Sequence, residues 1–366
     1  MAKRIKILFT TSNFKTAGSG KVIYDLVKGL DKSKFEIEIA CGRDGGEFFK
    51  TITELGLPIH VFSTKTQYRP YATLCFRLKR LSSFIRAHKY DIVHSWQWSN
   101  DWTEALSSRM GGAKWIYTKK AMGFKSKHWQ IKSYLANFII TINDEMRDYF
   151  PYKKNQALIP LGIDTDYYNP TFFEIPNDTN TFKIITVANL VPVKGIEVLI
   201  KAVHLLQNHS IKLTVLGTND NAYGDYLKSL CKDLKINHQV TFIQNQPDVR
   251  PYIKASDLYV IPTLDEGRKE GMPMALVEAM SMAIPVLGSR ISGIQFVLRD
   301  FQNLLFNAGD IYALKDSIAH MMDKSIEDRH QLGMSLRQYC KDEFSLDLFI
   351  NAHERLYNKL ITRANV

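Results

Sequence analysis

The chain has 366 residues, 45% of them hydrophobic and 23% charged, with only 12 Pro and 20 Gly. That length favours two domains, and the composition supports packed cores while excluding disordered, fibrous and low-complexity chains. The 48 Lys plus Arg outweigh 37 Asp plus Glu for a net charge of +11, which calls for an anionic partner.

The excess charge is uneven. Residues 1–170 hold 27 Lys/Arg against 15 Asp/Glu, whereas residues 171–366 hold 21 against 22. A nucleic acid, a lipid headgroup surface or a phosphorylated acceptor would each match the first half. Cys41, Cys75, Cys231 and Cys340 lie far apart, with no C-x-x-C pair and no His completing a zinc pattern. They are expected to be reduced thiols of a cytosolic protein. The apolar run at the amino terminus is too short for a signal peptide, and no stretch approaches the ~18 apolar residues of a spanning helix.

Short apolar runs alternate with helix-length amphipathic stretches. Strands are predicted at residues 5–10, 35–40, 59–62, 92–94, 115–118 and 138–142, with helices at 21–30 and 74–88. In the second helix Leu74, Leu78, Leu81 and Ile85 form one apolar stripe. The second half repeats the pattern, with strands at 183–187, 212–216, 240–243, 258–261 and 285–287 and helices at 196–206, 226–234 and 273–283. Between them, residues 170–181 turn to Pro, Asn, Asp and Thr, the composition of a linker. Two doubly wound α/β domains are therefore expected, at 1–173 and 181–344. The amphipathic segment 345–366 either ends the second domain or crosses back to complete the first. Such folds bind ligands outside the carboxyl ends of their strands, and with two domains the cleft between them is the natural site.

The most informative stretch is Pro262-Thr-Leu-Asp-Glu-Gly-Arg-Lys-Glu-Gly-Met-Pro-Met-Ala-Leu-Val-Glu-Ala-Met, which follows a strand and opens a helix. Pro273 suits the first helical position, and Gly271 lets a ligand approach the backbone. A helix start presents free N–H groups and partial positive charge to phosphate. Glu270 in the loop and Glu278 on the helix can each accept hydrogen bonds from sugar hydroxyls, as an acidic residue does from ribose in dinucleotide folds.

The Glu270-x7-Glu278 spacing, with its Gly-Met-Pro core and trailing Glu-Ala-Met, resembles the signature of retaining GT-B glycosyltransferases, particularly glycosyltransferase family 4. Other pieces agree in order. Val187-Ala-Asn-Leu-Val-Pro-Val-Lys-Gly195 is similar to the family's phosphate loop, Ala17-Gly-Ser-Gly-Lys21 to its first Gly-rich turn, and Gly162–Pro170 to the segment before its linker. The resemblance implies a GT-B fold of two Rossmann-like domains facing across a cleft. It implies that Glu278 holds donor ribose, Glu270 a hydroxyl of the donor sugar, and the backbone of Gly271, Met272, Pro273 and Met274 sugar or phosphate oxygens. Lys194 would neutralise the departing diphosphate, so neither a metal nor another cofactor is expected.

Three features depart from the family or lie at its weaker motifs. Asn189 stands where the family commonly has Arg, losing a bidentate phosphate contact for which Arg268 or Lys269 would have to compensate. Ser292-Gly-Ile-Gln-Phe296 occupies the place of a Gly-Gly-Ile-Pro-Glu stretch, without its Glu. In the first domain Gly18 and Gly20 offer a backbone amide to the diphosphate.

On the acceptor side, many relatives carry a His where this chain reads Tyr117–Phe124. Lys119 and Lys120 there would face donor phosphate or an anionic acceptor, unless they are solvated loop lysines. His94 is either an acceptor contact or a packed core histidine. Lys114, Lys119, Lys120, Lys125, Lys127, His128 and Lys132, interleaved with Trp115, Tyr117, Phe124 and Trp129, suit an anionic membrane surface; Arg77, Lys79, Arg80, Arg86 and Lys89 would extend it.

These readings imply a cytoplasmic hexosyltransferase, peripheral on the inner membrane face, that moves a sugar from a nucleotide-diphosphate donor to a glycan or lipid-linked acceptor in surface polysaccharide synthesis. A nucleotide-sugar-binding protein without turnover is the alternative that Asn189 and the missing Glu favour. A basic nucleic-acid-binding protein is the other, but no recognition motif supports it, so no nucleic-acid partner is expected.

Overall fold

The computed structural model describes residues 3–15, 17–123, 126–173, 181–208, 210–267 and 270–362. The chain forms two units, Met1–Gly162 with Leu346–Val366, and Ile163–Ser345.

The first unit carries strands β1 (Ile5–Thr11), β2 (Phe35–Cys41), β3 (Ile59–Val61), β4 (Ile92–Ser95), β5 (Lys114–Lys119), β6 (Phe138–Thr141) and β7 (Gln156–Leu158). Helices α1 (Ala17–Gly29), α2 (Glu47–Thr53), α3 (Leu74–His88), α4 (Thr103–Met110) and α5 (Lys127–Leu135) lie between them. The sheet order is β3-β2-β1-β4-β5-β6-β7, with every pairing parallel. Its strands are apolar on both faces because helices cover both: Ile7, Leu8 and Phe9 are wholly buried in succession.

The second unit carries β8 (Phe182–Val187), β9 (Ile211–Leu216), β10 (Val240–Ile243), β11 (Leu258–Ile261), β12 (Val286–Ser289) and β13 (Leu305–Phe306). With them go α6 (Ile196–Leu206), α7 (Ala222–Asp233), α8 (Arg250–Lys254), α9 (Met274–Ser281), α10 (Ser292–Val297), α11 (Ile311–Asp323) and α12 (Ile326–Phe344). This sheet runs β10-β9-β8-β11-β12-β13, again all parallel. Strand order reverses direction between β1 and β4 in the first sheet and between β8 and β11 in the second. These are the switch points where doubly wound sheets open a crevice.

The last helix, α13 (Leu346–Thr362), belongs to the first unit. It buries Phe349, Ile350, His353, Leu356 and Tyr357, and the Tyr357 ring meets Phe9 and Phe35 edge-on at 6.4 and 5.9 Å.

The chain passes between units at Gly162, not at residue 173. Gly162 has no room for a side chain against Phe349 and Leu346, whereas Ile163 already donates its N–H to Phe344 O at 2.8 Å in the second unit. Arg337, 6% exposed, then donates to Tyr168 O at 2.8 Å, to Thr165 O at 3.1 Å and to Ser281 O. Arg250 lies over the Tyr167 ring at 3.6 Å and donates to the Tyr167 carbonyl. The core of the expected linker, residues 174–180, lies outside the described residues.

The new boundary sharpens the charge asymmetry, giving the first unit 30 Lys/Arg against 15 Asp/Glu and the second 18 against 22.

The predicted strands are present with ends moved by a residue or two. Pro285 lies outside β12 because it has no N–H for the ladder, although its carbonyl accepts from Tyr259 N at 2.9 Å. Helix α5 was not predicted: its apolar residues lack a clean stripe, and its start is fixed by the Ser126 hydroxyl accepting from His128 N at 3.2 Å.

Candidate functional site

The two loops with the strongest motifs leave adjacent strands, β8 and β11, at the switch point of the second sheet. The backbone stitches them together, Leu264 N donating to Val193 O at 2.8 Å. Gly195 makes this approach feasible. It adopts φ +63°, and a side chain there would run into the Pro262 carbonyl and Leu264. Lys194 is thereby held above the second loop, where its ammonium forms an ion pair with the Glu270 carboxylate; both side chains are about one-fifth exposed, at 22% and 21%.

The backbone of Glu270 and Gly271 is clamped from the other side. Gly293, near the start of α10, lies so close to their carbonyls that no side chain fits. Gly271, Met272 and Pro273 are buried. Pro273 is the cap residue of α9 rather than its first helical residue, a one-position difference, and its carbonyl accepts from Leu276 N at 3.1 Å. The first-turn N–H groups of α9, from Met274 onward, point back toward this loop.

Glu278 lies one turn further along α9, half-buried. Beneath it Tyr259 is fully buried and donates its hydroxyl to Val187 O at 3.3 Å. Burial first, and the Glu278 charge second, push the Tyr259 phenol well above its ordinary range, so it remains a donor. Lys194, Glu270, Gly271, Met272, Pro273, Met274 and Glu278 thus all lie at or beside one switch point.

The expected departures take definite positions. Asn189 is exposed in the loop after β8. Phe296 is drawn into the core, 4% exposed, with its ring 6.1 Å from Phe344. Arg268 and Lys269 lie outside the described residues.

In the first unit Gly18 and Gly20 lie in the opening turn of α1, and Gly20 is packed against Phe48 and Phe14. The acceptor-side expectations need correction. His94 is wholly buried in β4, between the Tyr357 hydroxyl at 2.7 Å and the Thr118 hydroxyl at 2.9 Å. Burial keeps it neutral, its pKa far below the ordinary value. It fastens α13 to the sheet and has no face for an acceptor.

Lys119 is also buried, 2% exposed, its ammonium spent on the carbonyls of Ala121 and of Gly123 at 2.9 Å and lying 4.4 Å above the Trp129 ring. Lys132 is fully buried, donating to Ser99 O at 2.9 Å among the rings of Trp115, Tyr117 and Trp129. Burial pushes both amines down to about 8. Lys114 donates to the Leu360 carbonyl. Within the basic and aromatic block, Lys119 and Lys132 thus sit in a cage with Trp115, Tyr117 and Trp129, while Lys127 is exposed and Phe124 and Lys125 lie outside the described residues. Lys120 alone of the acceptor-side candidates stays half-exposed at the carboxyl end of β5, its ammonium 5.8 Å from the Trp96 ring. Of the remaining cations, Lys79, Arg80 and Arg86 are exposed on α3, beside Phe76 at 77% and Tyr71 at 61% exposure.

The sequence reading missed a polar network at the switch point between β1 and β4. Ser12 donates to Gln97 Oε1 at 2.6 Å, and Gln97 donates to the Thr64 hydroxyl at 3.2 Å. Thr64 and Ser95 each donate to the buried Glu104 carboxylate at 2.5 Å, and Trp115 Nε1 donates to it at 3.3 Å. None of these residues sits in a recognisable motif. Ser12, Thr64, Ser95 and Gln97 follow predicted strands, where Ser, Thr and Gln are common for other reasons, and Glu104 lies in a helix that carried no motif.

Two parallel sheets in these orders, with the motif-bearing loops at the switch points, define a GT-B glycosyltransferase fold. The chain belongs to the glycosyltransferases: residues 16–167 match the model of Glycosyltransferase Family 4, and residues 169–339 that of Glycosyl transferases group 1. The amylovoran biosynthesis glycosyltransferase AmsK of Erwinia amylovora is 32% identical over 164 residues, 42% of this chain but only 39% of that protein. The UDP-Gal:alpha-D-GlcNAc-diphosphoundecaprenol alpha-1,3-galactosyltransferase of Escherichia coli is 22% identical over 328 residues, 81% of this chain and 82% of that protein. Among solved structures, a glycosyltransferase of Rickettsia africae superposes with a TM-score of 0.86 at 16% identity, covering 98% of this chain and 99% of that one. Anabaena Alr3699/HepE in complex with UDP gives 0.81 at 17% identity, covering 97% and 100%. At such identities the likeness establishes the fold. Among the described residues no helix is long and apolar enough to cross a membrane.

Proposed function

We propose that this chain is a retaining, metal-independent hexosyltransferase that moves a sugar from a nucleoside-diphosphate sugar to a glycan or lipid-linked acceptor in surface polysaccharide assembly. The observation that carries the reading is the Lys194–Glu270 pair at the β8/β11 switch point. A diphosphate arriving there competes for the Lys194 ammonium, and its release frees Glu270 to accept hydrogen bonds from donor sugar hydroxyls. Lys194 and the α9 helix start stabilise negative charge as the diphosphate leaves, which supplies electrostatic catalysis without a metal. Glu278 accepts from the ribose. A donor phosphate oxygen assists removal of the acceptor proton, so no protein base is assigned.

On the acceptor side, Lys120 and the Ser12–Gln97 end of the polar network replace His94 and Lys119 as the groups assigned to this role. The exposed α3 face, with Phe76, Lys79, Arg80 and Arg86, is where the positively charged first unit would meet an anionic inner membrane surface, each cation adding about 1 kcal/mol. Uridine diphosphate sugars are the first donors to try, because the solved neighbour Alr3699/HepE binds UDP and UDP-glucose.

A thermal-shift panel of nucleotide sugars tests the reading, since a donor held at 100 times its Kd stabilises by about 2.7 kcal/mol. One donor class should raise Tm in the wild type and not in Lys194→Met. No shift with any donor refutes it. The buried Phe296 and exposed Asn189 favour a second reading, donor binding without turnover. Donor hydrolysis in the absence of acceptor separates the two.

A further inference from the structure

The edge of the first sheet holds a cluster that the transfer chemistry does not use. Glu38 on β2, His60 on the edge strand β3 and His88 at the end of α3 bring one carboxylate oxygen and two imidazole nitrogens within 4.8 Å of one another. We propose that Glu38, His60 and His88 form a zinc site that staples the edge strand β3 and the end of α3 to the body of the sheet.

The donor set is two imidazoles and one carboxylate, which suits Zn²⁺ better than the hard cations Mg²⁺ or Ca²⁺. His88 is already in the right tautomer. Its Nδ1–H donates to the Phe84 carbonyl at 3.0 Å, leaving the Nε2 lone pair free to ligate, the outer-shell arrangement common around bound zinc. His60 Nε2–H donates to Glu38 Oε2 at 2.7 Å. Zinc takes the place of that shared proton, which moves to Nδ1 as the neutral ring changes tautomer.

Glu38 is a buried carboxylate that accepts from Lys6, Tyr90 and His60. Lys6 occupies the other oxygen, Oε1, at 2.7 Å, so Oε2 is the one turned to the imidazoles. An oriented ligating carboxylate is expected to have its second oxygen hydrogen-bonded in this way. Tyr90 also donates to Oε2 and lies 3.4 Å from His60 Nε2, so it closes the cluster from the side of β4. Three protein ligands leave a fourth position for water.

The location argues for a structural role. The cluster lies where α3 returns toward the amino end of β4, whereas ligands of this fold bind at the carboxyl ends of β1 and β4. Strand β3 has three residues and one neighbour, so few ladder hydrogen bonds hold it. A metal bridging it to α3 would also fix the helix that carries Phe76, Lys79 and Arg80.

The test uses the full chain, stripped with a chelator and titrated with Zn²⁺ by calorimetry and with Co²⁺ by visible absorption. We expect one saturable equivalent, four-coordinate Co²⁺ bands, and a Tm that rises with Zn²⁺. His88→Gln should weaken Zn²⁺ binding at least about tenfold, and His60→Gln likewise, while His128→Gln leaves it unchanged. Both His variants should keep the wild-type donor thermal shift, which separates this proposal from the function above. Absence of saturable binding in the wild type overturns it, as does one-equivalent binding that survives both substitutions.

Discussion

Lys194 and Glu270 are 76 residues apart in sequence and form an ion pair because β8 and β11, the strands that deliver them, are neighbours at the point where the sheet reverses its order. The pair keeps about one-fifth of each side chain open to solvent and is expected to contribute only modestly to stability, so its removal should leave Tm within a few degrees. Turnover should respond far more. Lys194→Met is expected to lower kcat by ~10²–10³-fold with the donor that binds, the scale of losing one placed electrostatic group. Glu270→Gln should fall nearly as far, and the double variant no further than the worse single, since the two act on one departing group. Steady-state kinetics on the three variants checks this; additive losses would assign the residues to separate steps.

Glu278 is assigned to ribose, a part of the donor that does not react. Its contact is present equally in ground and transition states, so Glu278→Ala should raise the donor KM about tenfold and leave kcat nearly unchanged. A fall in kcat with constant KM would place Glu278 at the reacting centre instead. Tyr259→Phe is the companion measurement, because Tyr259 lies near Glu278 and donates its hydroxyl to the Val187 carbonyl. It should change KM by less than Glu278→Ala does.

Legibility in the sequence differed between the units for physical reasons. In the second, Gly195 and Gly293 are required by close backbone approaches, and Glu270 and Glu278 sit in the loop and helix that follow a plainly apolar strand, so motif and geometry coincide. In the first, Lys119 read as a cleft contact or a solvated loop lysine and Lys132 as part of a basic surface, because lysine is seldom buried. Only the packing of α5 against β5 reveals that Trp115, Tyr117 and Trp129 enclose them. His94 was ambiguous for the same reason: a histidine at a strand end looks alike whether it faces a ligand or, as here, the underside of α13. Helix α12 was missed because its exposed face is long and polar, leaving Leu336, Arg337 and Cys340 as a thin buried stripe.

The buried lysines predict a pH signature. Both have folded pKa values near 8, below the ordinary 10.5 that they regain on unfolding. The unfolded chain therefore binds more protons between pH 8 and 10.5, and stability rises with pH across that window. Below pH 8 the cost of burying the charges is fully present. Urea titrations at pH 7.5 and 9.5 should give a stability increase in the wild type that is smaller in Lys132→Met. An unchanged slope in the variant would contradict the burial of Lys132.

Arg337 holds the segment after Gly162 to the second unit through the carbonyls of Thr165, Tyr168 and Ser281. Arg337→Ala removes a donor from each of these carbonyls; Tyr168 O keeps the Ser281 hydroxyl at 2.8 Å, and each acceptor left unsatisfied in the interior costs about 1–3 kcal/mol. A loss of several degrees in Tm is expected, and Arg337→Lys should recover only part because an ammonium cannot span three carbonyls in the guanidinium plane. Differential scanning calorimetry on the full chain measures both. Equal Tm values for wild type and Arg337→Ala would show that the segment is held by other contacts.

The last prediction separates support from chemistry in the first unit. His94 has one ring nitrogen on the Tyr357 hydroxyl and the other on Thr118. Tyr357→Phe keeps the ring contacts with Phe9 and Phe35 but leaves a buried imidazole nitrogen without a partner. The expected cost is about 1–3 kcal/mol, read as a lower urea midpoint. Because His94 is assigned no contact with donor or acceptor, kcat and both KM values should stay within about twofold at a temperature where the variant is folded. Ser12→Ala, at the half-buried outer end of the Glu104 network, should do the reverse, raising acceptor KM with little change in the urea midpoint. If Tyr357→Phe instead raised acceptor KM at full stability, His94 would belong to the acceptor site after all, and α13 would be part of it.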